Sequence, residues 1–136
     1  MIGILLVTHG ATGEDLLATA SLMLGARPAR VTALAIASDC DPETMLARGR
    51  EMIAQLDDGT GVLVLADMFG ATPCNIAARL LAEAHVEGVA GLSLPMLVRT
   101  LSHRQGALGE AVASALSGGV EGVLHMNPDS SCDAKR

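Results

Sequence analysis

The chain has 136 residues and a formal net charge of −6 at pH 7; half of its residues are apolar and only 1% are aromatic. That length suits one domain, with a core built from Ala, Val, Leu, Ile and Met instead of rings. The acidic balance excludes nucleic acid as the main partner, because counterion release needs clustered Lys and Arg, and it disfavours a bare anionic membrane on the same ground.

The opening apolar run, Ile2–Val7, has no basic flank and is too short for a signal peptide or a spanning helix, so a cytoplasmic protein without membrane insertion is expected. The run reads as a buried strand. After it, Thr12-Gly13-Glu14-Asp15 resembles a capping box ahead of Leu16, Leu17, Ala20 and Leu24 on one helical face. Arg30–Ala37 is strand-like, and Asp41-Pro42-Glu43 supplies an N-cap with proline at the first helical position. Leu46, Gly49, Ile53 and Leu56 continue that helix. Gly61–Ala66 is a third buried strand, Asp67–Ala71 a turn, and Thr72-Pro73 opens a helix through Ile76, Leu80 and Leu81 with Thr72 as N-cap. Val86–Leu92 is a fourth strand. Helical material then starts at Leu94, breaks near Gly106 and resumes to Leu116. Val120–Met126 reads as a last strand, and Pro128–Arg136 as a flexible tail behind a single domain, 1–127.

Short buried strands alternating with helices predict an α/β fold, a doubly wound parallel sheet covered on both faces. Ligands of such sheets sit beyond the carboxyl ends of the strands, where strand order reverses. With the order 2-1-3-4 that point lies between strands one and three, which end at His9 and Asp67. A carboxylate accepting from one imidazole nitrogen fixes the tautomer and leaves the other nitrogen free as nucleophile or base. Thr72 stands at a helix start suited to anions, and Gly70 and Ala71 are small enough for close backbone approach. Together these residues point to phosphoryl transfer through phosphohistidine.

Competing sites are weaker. His85, His103 and His125 have no matched carboxylate at a ligand spacing, and two of them are expected to end helices. Cys40, Cys74 and Cys132 contain no C-x-x-C pair, so neither a disulfide framework nor a zinc site is indicated, and no metal or other cofactor is expected. Gly10-Ala11-Thr12-Gly13 matches neither a P-loop nor a dinucleotide fingerprint. The seven Met residues read as core filler.

Three segments, MIGILLVTHG, LVLADMFGATPCNIA and GLSLPMLVRTL, resemble in order and spacing the enzyme IIA component of the mannose-type branch of the bacterial phosphoenolpyruvate:sugar phosphotransferase system. The resemblance runs from Met1 to about Met126. It implies four parallel strands in order 2-1-3-4 and a further antiparallel strand, Val120–Met126, exchanged between the subunits of a homodimer. It also implies that His9 takes a phosphoryl group from the phosphocarrier HPr and passes it to a IIB partner in sugar uptake. Asp67 would orient His9, and Thr72 with the helix start, beside Gly70 and Ala71, would hold the phosphoryl oxygens. The family usually has Gly-Gly-Ser-Pro where this chain has Gly70-Ala71-Thr72-Pro73, so a methyl at Ala71 is awkward if that position needs positive φ. Many relatives continue through an Ala/Pro-rich linker into a IIB domain; this sequence stops at Arg136, and a IIB component on a separate chain is expected. Two alternatives stay open: a regulatory module whose His9 phosphorylation state controls a partner protein, and the phosphotransfer subunit of dihydroxyacetone kinase. GATP and LSLPML favour the mannose type over the latter.

Overall fold

The computed structural model describes residues 1–127; the predicted tail, Pro128–Arg136, lies outside the described residues. The elements in chain order are β1 Gly3–His9, α1 Thr12–Leu24, β2 Val31–Ile36, α2 Pro42–Leu56, β3 Val62–Ala66, α3 Thr72–Leu80, β4 Val86–Ala90, α4 Leu94–Ser102 and α5 Leu108–Glu121. All strand pairs are parallel, and the sheet order is β2-β1-β3-β4, as the family resemblance implies. The central strands β1 and β3 are apolar at nearly every position because both of their faces are covered.

Alternate residues divide the core into two layers. Ile4, Leu6, Leu63 and Leu65 pack with Leu17, Ala20, Met96, Leu97, Ala111 and Ala115 beneath α1, α4 and α5. Leu5, Val7, Val62 and Val64 pack on the other face with Leu46, Ile53, Leu56, Ile76 and Leu80 from α2 and α3. The two-residue period of a strand and the three-to-four-residue spacing of a helix produce this division directly. Asp41 caps α2 as expected: its carboxylate accepts from the Thr44 N–H at 3.2 Å and from the Thr44 hydroxyl at 2.6 Å. These hydrogen bonds, the hydroxyl's first, hold the Asp41 carboxyl below its ordinary 3.8.

The strand expected at Val120–Met126 is not present within the chain. Helix α5 continues to Glu121, and residues 122–127 have no regular structure. Two causes are visible. Gly118 lies flush on α4, where a Cβ would stand 3.0 Å from Arg99 Cβ and 3.2 Å from the Met96 Cα, so Ala111, Ala115 and Gly118 make one continuous buried stripe. Residues 123–126 also pair with none of the four strands among the described residues, and an unpaired segment gains no ladder bonds. Val123, Leu124 and Met126 are left exposed.

The methionines divide: Met96 is buried and Met45 and Met52 pack half-buried against the core, whereas Met23, Met68 and Met126 are exposed. One charged residue is buried without a carboxylate. Arg104, between α4 and α5, is 4% exposed and donates to the carbonyl oxygens of Ile2, Arg30 and Ala29 at 3.3, 3.3 and 2.6 Å. Desolvation, and after it the charge of Arg30, pulls this guanidinium below its ordinary value. It ties the amino-terminal end of the sheet together, opposite the end that carries His9.

Candidate active site

Strand register explains how residues far apart in sequence meet. His9 is level with Ile36 on β2, and Val7 is level with Ala66, the last residue of β3. Asp67 therefore leaves β3 beside the end of β1. Its Oδ2 accepts from the His9 backbone N–H at 3.0 Å and from His9 Nδ1 at 2.9 Å, across 58 positions of sequence. One oxygen thus fixes both the backbone and the ring of the same residue. A carboxylate only accepts, so the neutral ring carries its proton on Nδ1 and keeps its lone pair on Nε2. The Asp67 side chain is 14% exposed and that of His9 54%, so the orienting charge is sheltered while the ring is accessible. Asp67 Oδ1 is buried with no hydrogen-bond partner among the described residues.

Two helices begin at this end of the sheet, and the sequence assigns the caps of both incorrectly. For α1 the expected cap Thr12 is already the first helical residue, and the N-cap is Ala11. The work falls to Thr8, buried in β1, whose hydroxyl accepts from the Gly13 N–H at 2.8 Å. A tight strand-to-helix turn around Gly10, at φ +47, brings the two together. For α3, Thr72 is the first helical residue; the N-cap is Ala71, which offers no side-chain acceptor. Free N–H groups at the start of α3 are therefore available to an anion. Ala71 has φ −93 and ψ 170, an extended conformation any residue adopts, whereas Gly70 has φ +84. The methyl at Ala71 carries no strain, and the need for glycine rests on Gly70.

His9, Gly10, Ile36, Ala37, Ser38, Thr72 and Pro73 line a cleft of about 450 Å³. Thr72 shares this cleft with His9; Gly70 and Ala71 are in the adjoining loop but do not line it. Ser38 is a cleft residue that motif reading misses, because a serine after a strand has no distinctive spacing; only its register with β1 marks it. Met68 and Phe69, next to Asp67, are 61% and 83% exposed, so the chain's one phenylalanine lies outside the core; it lines a separate apolar pocket with Cys74, Ala78 and Leu81.

The remaining histidines stand apart from this constellation. His103 follows α4, and its Nδ1 lies 3.0 Å from the Arg99 carbonyl oxygen. His85 ends no helix; it sits in the turn before β4 at φ +60, and its carbonyl accepts from Val62. His125 lies beyond α5. Cys40 and Cys74 are free, half-buried thiols, and Cys132 lies outside the described residues. No group of three or more candidate metal ligands occurs among the described residues, and none of the described helices is long and apolar enough to cross a membrane.

Comparison with known proteins places this arrangement in a family. The chain is 38% identical over 125 residues to the mannose-specific EIIAB component of the PTS system of Escherichia coli K12, and equally so to that of Shigella flexneri. The aligned part is 90% of this chain and 38% of each relative, so the chain spans under half the length of these proteins. Two solved structures share the fold: the phosphotransferase component EIIA of Streptococcus agalactiae, with TM-score 0.83 and 22% identity over 93% of this chain and 98% of that one, and the mannose/sorbose-specific IIA subunit of Enterococcus faecalis, with TM-score 0.83 and 23% identity over 95% and 97%. The model of the EIIA-man family, described as PTS system fructose IIA component, matches residues 3–116. The chain therefore belongs to the EIIA-man family of sugar phosphotransferase components.

Proposed function

We propose that this chain is a phosphocarrier: His9 Nε2 accepts a phosphoryl group from phospho-HPr and passes it to a IIB component during sugar uptake. The observation that carries this reading is the 2.9 Å bond from His9 Nδ1 to Asp67, which leaves Nε2 unprotonated beside an open cleft. Phosphohistidine is already a reactive donor, so the site has only to align donor and acceptor in line. Asp67 supports the positive charge that develops on the ring as the N–P bond forms. Thr72 and the free N–H groups at the start of α3 serve the phosphoryl oxygens, and Gly70 and Ala71 shape the loop that lets the backbone approach.

The same reading includes a cytoplasmic location and a homodimer. The apolar residues that leave α5, with Val123 82% exposed, support the dimer: a second copy would cover them.

Incorporation of phosphate from phosphoenolpyruvate, through purified enzyme I and HPr, into the wild-type protein and His9→Ala tests the carrier role. Acid-labile label in the wild type and none in the variant is the expected result. Equal labelling of the two, or none in the wild type, would overturn it.

A further inference from the structure

Nδ1 of His9 is engaged by Asp67 at the end of β3, and the two nitrogens of an imidazole face different directions. Nε2 is therefore turned away from β3. In the order β2-β1-β3-β4, the element on the other side of β1 is β2. The residues leaving β2, Ile36, Ala37 and Ser38, form one wall of the His9 cleft, and Thr72 and Pro73 contribute from α3. His9 is level with Ile36, so Ser38 stands two residues beyond the ring, toward solvent. It is the one residue of that wall with a donor side chain. Ser38 is exposed, and its hydroxyl engages no other group among the described residues.

We propose that Ser38 is a phosphoryl-binding residue, whose hydroxyl donates a hydrogen bond to an oxygen of the group carried on His9 Nε2 while Thr72 serves it from α3. This inference rests on the reading of His9 as the carrier. In the transfer the Nε2 lone pair forms the new N–P bond as the N–P bond of the phosphohistidine donor breaks. The released electron pair returns to the donor imidazole. Ser38 changes neither bond; it meets charge that is present only once the phosphoryl group has arrived. Its contribution therefore appears in the phosphorylated form and not in the free protein. Asp39 follows it, exposed, and its charge opposes a phosphoryl group, so a neutral hydroxyl is the donor this wall has to offer.

The test is the equilibrium between phospho-HPr and this protein, measured with wild type, Ser38→Ala and Ser38→Thr, together with thermal unfolding of each unphosphorylated protein. The phosphorylated-to-free ratio at a fixed donor ratio should fall about three- to tenfold in Ser38→Ala, the scale of one ordinary hydrogen bond. It should recover in Ser38→Thr, with unfolding midpoints unchanged. A wild type that labels normally and a Ser38→Ala protein with the same ratio would overturn the inference and leave the carrier reading intact. A fall in ratio that Ser38→Thr does not restore, with a lowered unfolding midpoint, would also overturn it, as a structural effect. A wild type that takes no phosphate would overturn the carrier reading itself, and this inference with it.

Discussion

Asp67 and Thr8 each perform a task that a single oxygen makes possible. Asp67 Oδ2 holds both the backbone and the ring of His9, so Asp67→Asn should leave the fold in place but withdraw the negative charge from the ring. Phosphotransfer is expected to slow by up to about 10⁴-fold, the scale seen when the Asp that orients a catalytic histidine becomes Asn, with an unchanged far-ultraviolet circular dichroism spectrum. Transfer at the wild-type rate would show that charge at this position is dispensable. Thr8 is buried and accepts from Gly13. Thr8→Val keeps the shape and removes the acceptor, leaving a buried N–H without a partner, and should cost about 1–2 kcal/mol in denaturant unfolding. Arg104 works the other way, as a donor to several carbonyl oxygens. Arg104→Met removes the guanidinium bonds to the Ile2, Ala29 and Arg30 carbonyl oxygens, of which Arg30's keeps the Ile4 N–H, and a loss of about 2–4 kcal/mol is expected. Its distance from His9 along the sheet predicts normal phosphotransfer in whatever fraction folds.

At the scale of elements, α4 and α5 approach each other through glycine. A side chain at Gly118 would meet the α4 backbone at Met96 and Pro95, which cannot give way as a flexible side chain can. Gly118→Leu gains about 1 kcal/mol of helix propensity but forces the helices apart. Overpacking should win, giving a net loss of about 1–3 kcal/mol; a stabilised variant would refute this close packing. Helix α2 offers a pH test. The Asp41 carboxyl is held below its ordinary value by Thr44, so the unfolded chain binds a proton there more readily than the folded one. Its contribution is complete above the unfolded carboxylate range and is lost as pH falls through the folded value. Asp41→Asn keeps a capping oxygen but does not titrate. The unfolding midpoint of the wild type should therefore decline more steeply than that of the variant below about pH 4.

For the whole molecule the governing features are surface charge and the uncovered apolar segment that follows α5. Carriers that meet in passing gain association rate from complementary charge, and this chain carries −6. In the carrier role proposed above, raising ionic strength should slow phosphoryl transfer from HPr mainly through association, visible as a change in KM more than in kcat. A salt-independent rate would argue against charge steering. Val123, Leu124 and Met126 have no cover in the single chain. The expected solution mass by light scattering is twice that of one chain, falling toward the monomer in Leu124→Asp.

Much of this protein is determined by local pattern. Apolar runs of strand length, helical stripes such as Leu46, Gly49, Ile53 and Leu56, and Pro at a helix start are legible because burial on two faces and the 3.6-residue turn impose them on neighbouring residues. His9 and Asp67 were legible as candidates because one ends a strand and the other follows one at the switch point of a parallel sheet. Three-dimensional proximity decided the rest. Thr8 caps a helix from inside the preceding strand, which no capping pattern of adjacent residues encodes. Ala71, and not Thr72, is the N-cap, because backbone angles place that boundary one residue earlier. Ser38 joins the site only through register with β1, and Arg104 finds its carbonyls only once distant loops converge. Helix α5 overruns the expected strand because its glycine face has α4 to pack on, whereas residues 123–126 have no strand beside them: local sequence sets what a segment can form, and the partner it meets decides what it does form.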